Sequence, residues 1–414
     1  MKNTLLTLQK LKAEDKLPNV ATQKLNQYSH AFGVVEGTID TWPAVLGFEE
    51  KKTYLVLFQN NMELRPGGGF IGSYALLSVE NGKMGKLQIH DVYDADGKMT
   101  THIEPPYALR RYLGAAHWYL RDSNYDPDFT KDAMQAAQFL ELETGERVDG
   151  VIAVDTTFLK NLLSVLGSVN VPDYKETVTA DNFYLLTQTH AEKDFFPGST
   201  QKKDFLRSLT TAMMTELFET KEYSSEKLLL ETERSVRSKH LLFAFADKGI
   251  QNVFTVNGLS SSLHDGRSEE KQKILDYLGV IDANVGANKA NYYVKRSITH
   301  SVNMKGLDGL QETAVAMYNN TSEKDSPFGG DYKNYVRFLI PANAKVTGVS
   351  IDGVTVQTVS AITDASVYTT PGFIPPSELE VDEEQIGGKK AVGFFFIVPA
   401  GKTKTVALHY TVPT

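Results

Sequence analysis

The sequence predicts a layered α/β domain followed by a C-terminal β-sandwich. From residue 51 to about 287, short apolar runs alternate with amphipathic helical patterns, the mark of an α/β layer. Beyond Asn291 the helical periodicity stops, and seven short alternating runs follow with Gly, Asn and Pro between them. At 414 residues, 41% of them hydrophobic, the chain is long enough for two or three domains with sizeable cores.

In chain order, residues 1–50 read as a helical, juxtamembrane-like segment. Leu5, Leu6, Leu8 and Leu11, then Leu17, Val20 and Leu25, give helical spacing broken near Pro18. Residues 51–287 supply strand candidates at Tyr54–Gln59, Gly69–Val79, Lys86–Val92, Val148–Val154 and Leu241–Ala246. Helical patterns lie between them at Tyr107–Leu113, Thr130–Leu142, Thr156–Leu166, Thr179–Thr189 and Ser199–Phe218. Residues 288–414 form the sandwich, with strands at Tyr292–Val302, Thr313–Tyr318, Val336–Ile340, Ala344–Ile351, Val354–Val359, Val392–Val398 and Thr403–Tyr410. The acidic, proline-containing piece Pro371–Glu384 reads as a surface loop.

Composition narrows the function. A net charge of −8 without a Lys/Arg-rich run argues against nucleic-acid partners. The absence of cysteine excludes disulfides, thiol catalysis and Cys-zinc sites. No stretch reaches the ~20 apolar residues of a membrane span, and Met1-Lys-Asn-Thr does not lead into a signal-peptide core.

Three stretches carry chemistry. The first runs from Tyr54 through Asn60, Asn61, Glu63 and Arg65 into Gly67–Gly69, a charged cluster between two strands with glycines that allow close backbone approach. Gly67 to Gly72 fits the letter of G-x-G-x-x-G, but it opens a strand pattern rather than a helix, so no nucleotide cofactor is expected. His90 and Asp91 follow nearby. The second stretch is the loop Tyr119–Phe129, where Asp122, Asn124, Asp126 and Asp128 place oxygens at alternate positions. That spacing suits Mg²⁺ or Ca²⁺, and equally a solvated turn that caps the next helix. In the third, Lys202, Lys203 and Arg207 begin an amphipathic helix, either as a phosphate-holding N-terminus or as a solvent-facing first turn. Arg65 and Arg121 add guanidinium forks suited to phosphate oxygens.

The stretches LVLFQNNMELRPGGGFIGSYALLSVENGK, LRDSNYDPDF, VDGVIAVDTTFLKNLLSVLGSVNV and ANVGANKANYYVKRSI resemble the bacterial family called domain of unknown function 4012. Members of that family are exported and tethered by an N-terminal transmembrane helix, so the resemblance implies the outer face of the cell membrane, with an anchor that this chain lacks. More distantly, the α/β part is similar to the LytR-CpsA-Psr cell-wall ligases, which move glycopolymers from polyprenyl pyrophosphate onto peptidoglycan with Mg²⁺, arginines and acidic residues. Taken together with the reading of the residues above, the resemblance leaves Arg65, Arg121 and Asp91 as the catalytic candidates. Asn60, Glu63, His90, Lys202, Lys203 and Arg207 would touch the ligand, and Asp122, Asn124, Asp126 and Asp128 would hold the metal. The sequence departs from the ligase motifs where Gly67–Gly69 replace an aspartate and where Ile89-His90-Asp91 replaces Pro-Arg-Asp. Two functions follow: an envelope protein that binds an anionic or polyprenyl-phosphate-linked glycan, or a Mg²⁺-dependent glycopolymer transferase.

Overall fold

The structure, a computed structural model, describes residues 33–85, 87–192, 201–220, 223–263, 276–304, 309–323, 326 and 328–413. The helix expected over the first 32 residues lies outside these. The chain divides into two compact units: 1–59, 71–99 and 129–262 form the first, and 60–70, 100–128 and 263–414 form the second. Among the described residues, no helix is long and apolar enough to cross a membrane.

The first unit is built on a mixed sheet of β1 (Lys52–Arg65), β2 (Gly68–Glu80), β3 (Lys83–Met84), β4 (Gln88–Asp91), β5 (Gly150–Asp155) and β8 (Leu241–Phe245). Its order is β3-β2-β1-β5-β8, with β4 also paired to β2. Strands β1 and β5 are parallel, with Tyr54 opposite Gly150 and Gln59 opposite Asp155, whereas β8 runs antiparallel to β5. The unbroken run Tyr54–Phe58 is buried, as a strand covered on both faces requires. A separate ribbon pairs β6 (Val169–Val171) with β7 (Glu176–Val178).

After β4 the helices of this unit are α1 (Val92–Asp96), α2 (Phe129–Thr144), α3 (Thr156–Leu166), α4 (Phe183–Glu192), α5 (Gln201–Thr215), α6 (Ser225–Arg237) and α7 (Lys248–Val256). Helix α3 has the bounds that its periodicity predicts, because Asp155 caps it through Phe158 N at 2.9 Å and Gly167 at φ 85° ends it. The strand expected over Lys86–Val92 stops at Asp91, whose side chain accepts from Tyr93 N at 2.9 Å and starts α1. The expected helix Tyr107–Leu113 is present, and its last five residues, Leu109–Leu113, are π-helical. Helices α6 and α7 escape the periodicity reading, although Ser224 and Asp247 cap them in the usual way.

The second unit contains the sandwich. One sheet has the order β10-β11-β18-β13-β14, the other β15-β16-β17-β12-β9. The first sheet comprises β10 (Val294–Met304), β11 (Leu310–Asn320), β13 (Lys345–Ile351), β14 (Val354–Thr355) and β18 (Thr403–Val412). The second comprises β9 (Gly279–Asn284), β12 (Tyr332–Pro341), β15 (Thr358–Ser360), β16 (Leu379–Ile386) and β17 (Lys389–Val398). Their inner faces share one core, in which Tyr318, Leu408 and Tyr410 meet Val336, Phe338 and Phe394. The loop expected over Pro371–Glu384 is corrected at its end. Leu379 opens β16, which pairs antiparallel with β17 from Val381 to Ile386, and Val381 packs on the core. Acidic residues masked an alternation that the sheet uses.

Candidate functional site

Arg65 ends β1, and its residue surface is only 2% exposed. A charged group so placed must be paired and fully hydrogen-bonded. Its Nε donates to Asp122 Oδ1 at 3.0 Å, and its Nη2 to Glu63 Oε1 at 3.1 Å. Its Nη1 donates to the backbone oxygens of Asn284 at 2.8 Å and Leu64 at 3.3 Å. Burial works to lower the Arg65 pKa, but Asp122 and Glu63 outweigh it and hold the group above its usual value. Arg121 lies 3.6 Å from Asp122 and 4.4 Å over the Tyr119 ring, so two cations face two carboxylates.

The cluster is extended by amides. Asn284 Nδ2 donates to Asn288 O and to Asn291 Oδ1, each at 2.9 Å, and Asn291 Oδ1 also accepts from Leu64 N at 3.1 Å. Asn124, fully buried, donates from Nδ2 to Gly69 O at 2.7 Å, and Gly67 N donates to Asn124 O at 3.0 Å. A Cβ on Gly69 would stand 2.3 Å from the Asn60 carbonyl, so only glycine fits there. Three of the four sequence motifs therefore meet in one buried polar cluster of the second unit.

The remaining candidates take up separate contacts. Asn60 Oδ1 accepts from Met62 N at 3.1 Å, Asp126 Oδ1 from Asp128 N at 2.8 Å, and Asp128 Oδ2 from Leu263 N at 3.2 Å. The carboxylates of Asp122, Asp126 and Asp128 are thus turned to different partners, and Asn124 Oδ1 is buried without one. Among the described residues, the acid and histidine groups that gather within 4.8 Å of one another are instead Asp276, His300 and Glu312. His90 and Asp91 belong to the first unit, where His90 stacks on Tyr74 with ring centres 5.1 Å apart. Lys202, Lys203 and Arg207 lie on α5, and their side chains fall outside the described residues.

The first unit holds an apolar pocket of about 340 Å³. Its floor is the sheet face carrying Tyr54, Ile152, Phe243 and Phe245; Leu229 and Val236 of α6 and Phe254 of α7 wall it, and Val34, Val35, Trp42 and Leu46 cover it. Glu233 and Arg237, 3.5 Å apart on α6, are its charged lining residues. The volume falls in the range of small-molecule sites, and the lining is mostly apolar and aromatic. Sequence reasoning missed this pocket because it missed α6 and α7. The signal available was Leu228, Leu229 and Val236 at helical spacing after the Ser224 cap.

A second unforeseen feature is a pair at the end of β5, level with Gln59 of β1. Asp155 Oδ2 lies 2.6 Å from His240 Nδ1, and Asp155 N donates to His240 O at 3.2 Å, because β8 enters the sheet opposite β5. The hydrogen bond to Asp155 holds the His240 pKa above its usual value against the effect of burial.

The chain thus combines a mixed α/β unit holding an apolar pocket with a β-sandwich unit organised round a buried arginine. Residues 49–191, which hold the first three of the four quoted motifs, match the family model described as "Protein of unknown function (DUF4012)". Among solved structures, the chain is similar to the Lin1025 protein from Listeria innocua at 11% identity, with 51% of this chain and 78% of that one covered and a TM-score of 0.29. It is likewise similar to a transcriptional regulator (EF0465) from Enterococcus faecalis (10%; 52% and 73%; 0.31) and to B. subtilis TagV (12%; 51% and 81%; 0.30). At these TM-scores none of the three bears on function. A search of curated proteins finds no match.

Proposed function

We propose that this protein acts at the cell envelope, tethered to the outer face of the membrane, as a binder of polyprenyl-phosphate-linked glycan. The isoprenoid chain enters the apolar pocket of the first unit, and the phosphates stay in solvent, where Mg²⁺ or Ca²⁺ offsets their charge. The observation that carries this reading is the pocket lining: aromatic and aliphatic side chains from three sides, with Glu233 and Arg237 as its charged residues. Arg237, whose side chain is 65% exposed, supplies positive charge beside the pocket. What weighs for binding over transfer is Arg65, whose donors are engaged by the protein's own carboxylates and carbonyls.

The test is calorimetric titration of farnesyl pyrophosphate, with and without Mg²⁺, into the wild type, Ile152→Trp and Arg237→Glu. Ile152→Trp fills the pocket from its floor, and Arg237→Glu reverses the charge at an exposed position and breaks the pair with Glu233. Saturable binding that weakens at least ~10-fold in both variants is the expected result, the order of magnitude of a lost pocket contact or charge pair. An absence of wild-type binding, or equal affinity in Ile152→Trp, overturns the proposal.

A further inference from the structure

Strand β10 is the edge of its sheet, and most of it faces solvent. The exceptions are Val294 and His300, both half-buried. His300 stands beside Glu312 of β11, with Nε2 2.8 Å from Glu312 Oε2 and 3.1 Å from the Tyr410 hydroxyl. Glu312 lies directly opposite Tyr410 of β18 and alternates with Leu310 and Ala314 along the inner face of the sandwich. Its side chain is fully buried. An ionised carboxylate there has a large desolvation cost unless both oxygens are satisfied. One oxygen meets His300, whereas Glu312 Oε1 is buried without a hydrogen-bond partner. Asp276 completes the group, its Oδ2 3.9 Å from His300 Nδ1. One ligand atom from each of the three residues lies within 4.8 Å of the other two.

We propose that Asp276, His300 and Glu312 hold a divalent transition-metal ion of the zinc class, which fastens the edge strand β10 to the sandwich. One imidazole and two carboxylates form a borderline donor set, better suited to Zn²⁺ than to Mg²⁺. Two negative charges against one dication balance the site, and the orphaned oxygen of Glu312 gains a partner. The Tyr410 hydroxyl, 3.1 Å from His300 Nε2, lines the same group. The metal would reach the group from the Asp276 side, which is the exposed member.

The experiment uses the full chain stripped with EDTA and then dialysed free of it. Zn²⁺ titrated by calorimetry should bind at one equivalent and raise the melting temperature, and Mg²⁺ should do neither. Co²⁺ in its place should give visible d–d absorption. Asp276→Asn and His300→Gln change exposed and half-buried positions, so the variants fold, and each should weaken Zn²⁺ binding at least ~10-fold. Glu312→Gln should abolish binding. An absence of stoichiometric Zn²⁺ binding in the wild type overturns the proposal. So does unchanged affinity in the Asp276→Asn/His300→Gln double variant, which would place the bound metal at other side chains.

Discussion

Replacing Arg65 by alanine separates two roles for this residue. If it is an internal strut, the loss is one of stability, because Asp122 and Glu63 keep their charges in places that solvent barely reaches: their side chains are 7% and 14% exposed. The carbonyl of Asn284, a fully buried residue, loses its donor as well. Removing one partner of a buried ion pair costs about 3–5 kcal/mol. Arg121 remains 3.6 Å from Asp122 and Glu63 keeps some water, so the lower part of that range applies. The assay is urea unfolding followed by Trp118 fluorescence in a Trp42→Phe background. Trp118 Nε1 donates to Asp122 O at 2.8 Å, so it reports the second unit at the perturbed place. Adding Asp122→Asn to Arg65→Ala removes one stranded charge and should recover part of the loss, by a coupling of about 0.5–3 kcal/mol. A cost below about 1 kcal/mol, the size of an ordinary substitution, together with abolished pyrophosphate binding, would refute the reasoning and make Arg65 a ligand-binding group.

Two pH-dependent outcomes follow from the shifted groups. The folded-state pKa of His240 lies above its usual 6.5, so its contribution is complete below that value and is lost as pH rises through the folded one. The melting-temperature gap between wild type and His240→Asn should therefore be largest near pH 5 to 6 and shrink toward pH 9; a constant gap would show that the Asp155 pair does not titrate with folding. Asp382 has the opposite character for an acid: burial, and then the nearby Glu384, raise its pKa above the usual 3.8. Its charged form thus opposes folding, fully so above the folded pKa and not at all below the unfolded one. Asp382→Asn should raise the urea midpoint at pH 7 and leave it unchanged near pH 3, and a lowered midpoint at pH 7 would count against the assignment.

Local periodicity made much of this fold legible. The buried run at Tyr54–Phe58, the capped helix from Thr156 to Leu166 and the alternation from Val392 to Val398 each state their structure within a few residues. Reading failed where a tertiary partner changes the meaning of a residue. Glu380 reads as part of an acidic loop, yet it is 4% exposed, since Arg111 Nη2 stands 3.0 Å from its carboxylate. The candidate site shows the same limit. Glu63, Arg65 and Asp122 are visible as charges at suggestive positions, but spacing alone cannot say whether they face a ligand or one another. The answer depends on Asn284, which lies 219 positions from Arg65 and takes one of its donors. The glycines were ambiguous in the same way, since close backbone approach serves a bound phosphate or a neighbouring strand equally well. At Gly69 the close neighbour is Asn60. Motif density near Arg65 therefore reflects the demands of burying charge, whereas the pocket of the first unit, lined by side chains that any core might use, left little trace in the sequence. A search for function in this chain is better aimed at that apolar lining than at the residues that stand out on reading.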